Sequence, residues 1–253
     1  MILSAAERLL QELGVTEPAE IDLEAIAYHV GASVRSRPLD GCEARIIGCS
    51  GRAIITVNSR SSVRRRRFSI AHELGHWRHH KDKTLVCRAE EYMPSRSSPA
   101  ERVADLYAAD LLMPNYLFRP IARQQDKLNF ATIVALADAF NTSVTSTVIR
   151  LVESDLWPSL VVCHGHKGRK WFTRSPSVPA RWFPRDDLDS ESHAIDVLFG
   201  REAESRVPQK IGADAWFDRW DAERFELAEQ SIRVSDKEIL TLLILTDGKM
   251  LDD

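Results

Sequence analysis

The sequence lacks the features that mark several large classes of protein. No segment of the 253-residue chain approaches the roughly 20 consecutive apolar residues that a membrane-spanning helix needs. A net charge of -3 argues against a chain that coats nucleic acid or an anionic membrane without specificity. No internal repeat or low-complexity tract is visible. With 44% apolar residues, the composition predicts an ordinary globular protein with real hydrophobic cores.

Cysteine is scarce, and the cysteines present do not suggest a disulfide framework. No paired zinc-finger spacing connects the four of them, which are Cys42, Cys49, Cys87 and Cys163. Residues 1–13 carry Glu7 and Arg8 within their apolar pattern, which predicts an amphipathic helix and not a signal peptide. We therefore expect reduced thiols and a cytoplasmic location, with Cys42 and Cys49 as unrelated thiols in preference to a redox pair.

One stretch, residues 68–77, has the spacing of a metal site. His72 and His76 are four residues apart, so in a helix both lie on one face, close enough to reach one Zn²⁺ at about 2.0–2.1 Å. Glu73 follows the first histidine directly, where a carboxylate can accept a proton from a metal-bound water. The alternative is an amphipathic helix whose histidines are ordinary polar residues. The apolar residues around them favour a buried helix and hence the metal site.

A second segment offers acidic residues that can complete this site. Pro99 and Pro114 bracket a predicted helix in which Glu101 and Asp105 share one face. We assign Glu101 as the third metal ligand and Asp105 as the acceptor for the outer N–H of His72. The alternative for both is a solvated helix face, which is the interpretation favoured for Asp110.

Together the two segments resemble the ImmA/IrrE family of metallopeptidases, whose pattern is an AHELGH helix followed by a Glu-led helix that ends in AAxLLMP. Both halves are present, and the resemblance covers about residues 20–155. Asp110 and Tyr107 are mild departures, and Val103 stands where many members have a second acid, which favours Glu101 as the ligand. The resemblance implies a zincin-like fold and an intracellular protease. Such proteases often cleave a helix-turn-helix repressor encoded beside them in phage, mobile-element or stress-response circuits.

The remaining pattern predicts an α+β protein with a small sheet, an HExxH helix, a helix-turn-helix-like segment and a C-terminal mixed α/β module. The resemblance implies that the first part of this protein is a zincin-like metallopeptidase. We expect an edge strand of the small sheet to pair with an extended substrate. Helices are predicted at residues 1–13, 22–30, 129–140, 144–153 and 188–199. Strands are predicted at 32–37, 43–48, 53–57, 160–163, 170–173, 225–230 and 239–246.

These elements suggest three domains. Residues 1–125 would form the peptidase, 126–156 the helix-turn-helix-like segment, and 157–253 a module that senses a signal or selects the substrate. The second helix of the middle segment has few residues that read bases, so packing or a partner contact is favoured over operator binding. We expect no direct nucleic-acid binding. The run Arg64 to Arg67 is accordingly interpreted as solvated arginines that hold nearby carboxylates.

The sequence thus predicts a zinc-dependent endopeptidase. His72, His76 and Glu101 would hold Zn²⁺ with a water, and Glu73 would move the proton from that water to the leaving amine. Candidates for the donor that steadies the oxyanion are Tyr107, Tyr92 and His164. The alternative is a catalytically silent zincin-fold regulator that binds a repressor or DNA. The intact set of ligands and base weighs against it.

The other histidines and cysteines are interpreted without a role in metal binding. Exposure at the helix end is favoured for His79 and His80. A thiolate at Cys87 could occupy the open metal position, although a plain thiol is favoured. For Cys163, His164 and His166, a strand end with loop histidines is favoured over a second metal site.

Overall fold

The structure is a computed structural model that describes residues 2–79 and 98–252, together with the backbone of residues 85–87. These residues contain eight α-helices and nine strands in two sheets, which confirms the predicted α+β class. The chain forms two compact units, the first made of Met1–Ile121 and Ala137–Ser143, the second of Ala122–Leu136 and Val144–Asp253. The division into three domains at residues 125 and 156 stays a prediction.

The elements follow one another along the chain in this order. The helices are α1 (Ala5–Glu12), α2 (Leu23–His29), α3 (Val63–His79), α4 (Pro99–Leu112), α5 (Asn115–Arg123), α6 (Phe130–Phe140), α7 (Val144–Glu153) and α8 (His193–Phe199). The strands are β1 (Ala32–Arg37), β2 (Ala44–Cys49), β3 (Arg52–Asn58), β4 (Leu85–Cys87), β5 (Ser159–Gly165), β6 (Gly168–Arg174), β7 (Gln209–Gly212), β8 (Glu226–Ser235) and β9 (Glu238–Leu245).

The first sheet has the strand order β1-β3-β2-β4. Strand β1 runs parallel to β3, whereas β2 is antiparallel to both β3 and β4. The turn between β2 and β3 consists of Ser50 and Gly51, whose φ angles of 52° and 76° suit a two-residue hairpin loop. The sheet leads directly into α3, which carries the histidine pair.

Helix α3 is buried along its second half, from Ser69 to Trp77. The indole N–H of Trp77 donates a hydrogen bond to the carbonyl of Val30 at 2.9 Å, which ties this end of α3 to the end of α2. Because every residue on this stretch is buried, its polar side chains are largely withdrawn from water. His72, Glu73 and His76 all lie within it.

The arginine run lies inside α3, where Arg64 to Arg67 form the first turns. Arg64 pairs with Asp138, and Arg65 lies 3.9 Å from Glu43. The other two arginines donate to backbone carbonyls, Arg66 to those of Ser59 and Ser61 and Arg67 to that of Ile21. Two arginines therefore hold carboxylates as interpreted, whereas Arg66 and Arg67 are part-buried and bind the backbone, so the expectation of solvated side chains is wrong for them.

Helix α4 begins and ends as the two prolines predict. Ser98 caps it by accepting a hydrogen bond from the N–H of Glu101 at 3.3 Å, and Pro99 occupies the first helical position. The helix ends at Leu112, two residues before Pro114. Its buried stripe consists of Ala104, Tyr107, Ala108, Leu111 and Leu112. Packing of this stripe fixes the rotation of α4, and with it the direction of the acidic face.

The second unit contains an antiparallel five-stranded sheet with the order β6-β5-β9-β8-β7. Every residue of β5 is buried, and the core against the sheet is built around Trp182, Trp216 and Phe217. Helix α8 begins at His193 and not near residue 188 as expected, because Ser192 caps it. The sheet of this unit confirms that the C-terminal part of the chain contains a sheet module, as the sequence predicted.

No single helix among the described residues has the length and hydropathy to cross a membrane. Helices α6 and α7 meet the criteria of length and composition only as a pair, with a bend of 106° between them.

Candidate metal centre

Three side chains from α3 and α4 converge on one point. The Nε2 atoms of His72 and His76 lie 3.0 Å apart, as four-residue spacing on a helix allows. The Glu101 carboxylate reaches both, with Oε2 3.0 Å from His72 Nε2 and Oε1 3.4 Å from His76 Nε2. Across the described part of the chain, His72, His76 and Glu101 form the one such group of three metal-ligating residues.

The donor set fits a zinc ion. Ligands at about 2.0–2.1 Å around a tetrahedral ion are separated by roughly 3.3 Å, close to the spacings of 3.0, 3.0 and 3.4 Å between these atoms. Two imidazoles and one carboxylate are also a known catalytic zinc set. Lone pairs that converge this closely repel one another unless a cation or shared protons lie between them. These three residues can therefore hold the metal.

Asp105 lies on the other side of the His72 ring. Its Oδ1 atom is 2.9 Å from His72 Nδ1, the contact that the spacing on α4 predicted. If His72 donates its Nδ1 proton to this carboxylate, its Nε2 lone pair is free to point at the converging group. The contact thus selects the imidazole tautomer that can bind a metal. The effect of Asp105 on metal affinity stays a prediction.

Glu73 is fully buried, with 0% of its surface exposed. It lies directly after His72 in the buried part of α3, where the sequence predicts the general base. At about 100° of rotation per residue, it lies next to the histidine face but does not coincide with it. This arrangement suits a base beside the metal better than a fourth ligand. Its role as the base remains a prediction.

Glu101 is the most exposed member of the group, with 38% of its side chain accessible, against 11% for His72 and 1% for His76. Its hydrogen bond with His72 lowers the pKa of the Glu101 carboxyl, and the charges of the two imidazoles act in the same direction, against partial burial. The carboxylate therefore stays ionised, as a metal ligand must be. Its exposure shows that this side of the site is open to solvent.

The three candidate oxyanion donors lie in different parts of the chain. Tyr107 is 6% exposed, with its ring 5.8 Å from that of His79, and burial raises the pKa of its hydroxyl. His164 is buried in the second unit against Trp216, with 5.7 Å between the ring centroids. Tyr92 lies outside the described residues. None of the contacts described for Tyr107 joins it to the histidine pair, and its role as donor stays a prediction.

Most of the remaining ligand-type residues follow their plain interpretations. His79 is exposed at the end of α3, whereas His80 lies outside the described residues. Cys42 is a buried free thiol and Cys49 an exposed one. Cys87 lies in β4, and its side chain is outside the described part. Cys163 and His164 are buried on β5, so the expected loop position is wrong for His164, because the strand continues to Gly165. His166 does lie in the loop, where it is exposed and stacks on Phe199.

Gly75, between the two histidines, is not among the site residues that the sequence predicts. Gly75 faces α4 so closely that a Cβ atom placed on it would lie 2.9 Å from Ala104 Cα. The signal was available in the sequence, since a glycine within a buried helix needs a packing reason. Its partner on α4 could not be named before the two helices were placed.

Comparison with known proteins agrees with the geometry. Residues 28–152 match the family model Peptidase_M78, the IrrE N-terminal-like domain, so the predicted resemblance to the ImmA/IrrE family is confirmed for this part of the chain. A solved structure described as a Mycobacterium tuberculosis transcriptional regulator is similar in fold, with a TM-score of 0.61 and 16% identity. The similarity covers 95% of this chain and 86% of that one. No curated protein matches the sequence.

Proposed function

We propose that the protein is a zinc-dependent endopeptidase that hydrolyses a peptide bond in a protein partner. The observation that carries the proposal is the convergence of His72, His76 and Glu101, with separations of 3.0 to 3.4 Å between their ligand atoms. The match of residues 28–152 to a peptidase family supports it independently. A carboxylate directly after a metal-binding histidine, as at Glu73, also suits a general base.

In this proposal each side chain has a separate task. His72, His76 and Glu101 hold the metal, and Asp105 keeps the His72 imidazole in the tautomer that can bind. Zn²⁺, when bound, supplies the Lewis acidity that polarises a peptide carbonyl and acidifies a water. Glu73 accepts a proton from the attacking water and delivers it to the leaving amine. Solvent exposure of Glu101 at 38% fits a site whose open side admits a polypeptide.

We propose a helix-turn-helix repressor as the substrate, in a stress-response, phage or mobile-element circuit in the cytoplasm. The support is the ImmA/IrrE resemblance, which is confirmed for residues 28–152. The name of the Mycobacterium tuberculosis structure also connects this fold with transcriptional regulation. The second unit, which carries none of the proposed chemistry, would select this substrate or respond to a signal.

A second candidate function is that of a catalytically silent regulator that binds a repressor or DNA. The name of the same solved structure favours it, since that protein is described as a transcriptional regulator. The two candidates differ in what they require of Glu73. A silent regulator has no use for a base, whereas an endopeptidase cannot turn over without one.

The test is to incubate the purified protein with the repressor encoded nearest to its gene and to follow the repressor by mass spectrometry. We expect cleavage by the wild-type chain with zinc, and none by the Glu73→Gln variant, which keeps the shape of the side chain. Asp110→Asn, which removes an acid of α4 outside the group of ligands, serves as the matched control and should cleave normally. Binding of the intact repressor without cleavage would favour the silent regulator.

A further inference from the structure

Helices α3 and α4 are in close contact at Gly75. A Cβ atom on this residue would lie 2.9 Å from Ala104 Cα, 3.0 Å from Ala104 O and 3.2 Å from Tyr107 Cβ. The nearest atoms belong to the backbone of α4, which cannot move aside by rotating a side chain. Any residue other than glycine at position 75 must therefore push the two helices apart.

The same pair of helices carries the whole candidate metal centre. His72 and His76 flank Gly75 on α3, while Glu101 and Asp105 flank Ala104 on α4. Two carboxylates must cross from α4 to the same imidazole, Glu101 at 3.0 Å from Nε2 and Asp105 at 2.9 Å from Nδ1. Aspartate has a short side chain, so its contact with His72 tolerates little increase in the distance between the helices.

We infer that Gly75 is a positioning residue that sets the α3–α4 distance at which Glu101 and Asp105 reach His72. The inference rests on the proposed function, since it concerns the same metal centre. Glycine in a helix interior is less favourable than alanine. Helix propensity alone would therefore prefer alanine here. The close approach of α4 gives a reason for glycine that propensity does not.

The test is the zinc affinity of Gly75→Ala, measured by competition with a chromogenic chelator. Asp105 acts through the imidazole, and loss of such a partner typically weakens metal binding by about 10–100-fold. We expect a loss of this size, together with a weaker visible absorption band in the Co²⁺-substituted protein. Unfolding measured in excess chelator should stay cooperative, because alanine favours the helix.

Gly48→Ala is the matched control. A Cβ atom on Gly48 would lie 2.5 Å from Cζ3 of Trp77, so this variant crowds α3 from β2 without pressing on α4. We expect it to lose stability but to keep its zinc affinity within about twofold. Equal zinc affinity in the Gly75→Ala and Gly48→Ala variants would overturn the inference. So would loss of cooperative melting in Gly75→Ala alone, because that result would make Gly75 a packing residue only.

A double variant tests the proposed path through Asp105. In Gly75→Ala combined with Asp105→Glu, the additional methylene lengthens the carboxylate side chain across the wider gap. We expect part of the zinc affinity lost in Gly75→Ala to return; no return would overturn the claim that Gly75 acts through Asp105. Zinc binding by the wild-type chain is the reference throughout. If the wild-type chain binds no zinc, the proposed function is wrong. If the wild-type chain binds zinc and only the variants depart from expectation, the inference on Gly75 is wrong.

Discussion

At the scale of single residues, the candidate centre depends on how each imidazole is oriented. The 2.9 Å contact between Asp105 and His72 Nδ1 fixes one ring from the side opposite Glu101. We predict that Asp105→Ala folds normally but binds zinc about 10–100-fold more weakly, the usual effect of losing such a partner. Chelator competition measures the loss. Unchanged affinity would mean that the contact between Asp105 and His72 has no bearing on the metal.

A second prediction concerns His164, which is 1% exposed. Burial lowers the pKa of His164 to about 4, whereas an unfolded histidine titrates near 6.5. Between these values the unfolded chain binds a proton that the folded chain does not. The free energy of unfolding should therefore fall as the pH drops from about 6.5 to 4, by up to about 3 kcal/mol in total from this residue.

The measurement is urea unfolding of the second unit between pH 4.5 and 7.5. The His164→Phe variant removes the titrating group and should show a flatter dependence on pH than the wild type. His166→Gln removes the exposed neighbour two residues away and should keep the wild-type slope. If His164→Phe and the wild type lose stability equally as the pH falls, another group is responsible.

At the scale of elements, the first turn of α4 links helix capping to the metal site. Ser98 caps the helix by accepting from the N–H of Glu101, the proposed third ligand. Replacing Ser98 with alanine should cost about 1 kcal/mol of stability and let this turn fray. Because Glu101 lies in the frayed turn, we also expect zinc affinity to fall severalfold.

Ser4→Ala provides the comparison for this cap. Ser4 caps α1 in the same way, accepting from the N–H of Glu7 at 3.3 Å, and α1 carries none of the proposed ligands. This variant should lose similar stability in chelator while its zinc affinity stays at the wild-type value. If both serine variants change the zinc affinity equally, the cap of α4 has no specific influence on the metal site.

The helices and strands differ in how well the sequence predicts them. The limits of α4 followed from Pro99 and Pro114, and α7 was predicted residue for residue, because strong end signals and helical periodicity agree there. Helix α5 was missed, since Pro120 inside it reads as a helix breaker. Strands β4 and β7, of three and four residues, are too short to show an alternating pattern.

The sequence predicts the part of the site that lies on one helix, but not the distances between residues on different helices. The pairing of His72 with His76 follows from helical geometry alone. The reach of Glu101 and Asp105 to His72 depends on how closely α4 approaches α3, which is set where Gly75 meets Ala104. No periodicity within either helix encodes that distance. A glycine at position 75 therefore indicates close packing, but the sequence does not identify the residue against which it packs.

At the scale of the whole molecule, the second unit includes α7 as well as the C-terminal sheet. Thr147, Val148 and Val152 of α7 are 0% exposed, and the hydroxyl of Ser175 donates to the carbonyl of Val152 at 3.0 Å. A fragment that ends at residue 156 would keep α7 and lose β5 and β6, against which it packs.

We therefore predict that residues 1–156, expressed alone, aggregate or melt without cooperativity, because apolar surface of α7 becomes exposed. Sedimentation and calorimetry of the fragment beside the full chain measure this. A monomeric fragment with a cooperative transition and bound zinc would contradict the prediction. It would support the boundary near residue 156 that the sequence suggested.

The central claim is that His72, His76 and Glu101 hold one metal ion while Glu73 acts beside it. Elemental analysis of the purified wild-type chain and two variants tests it most directly. We predict about one zinc per chain in the wild type and in Glu73→Gln, and close to none in His76→Ala. Loss of the metal in Glu73→Gln would make Glu73 a ligand, and equal zinc in all three proteins would contradict the site itself.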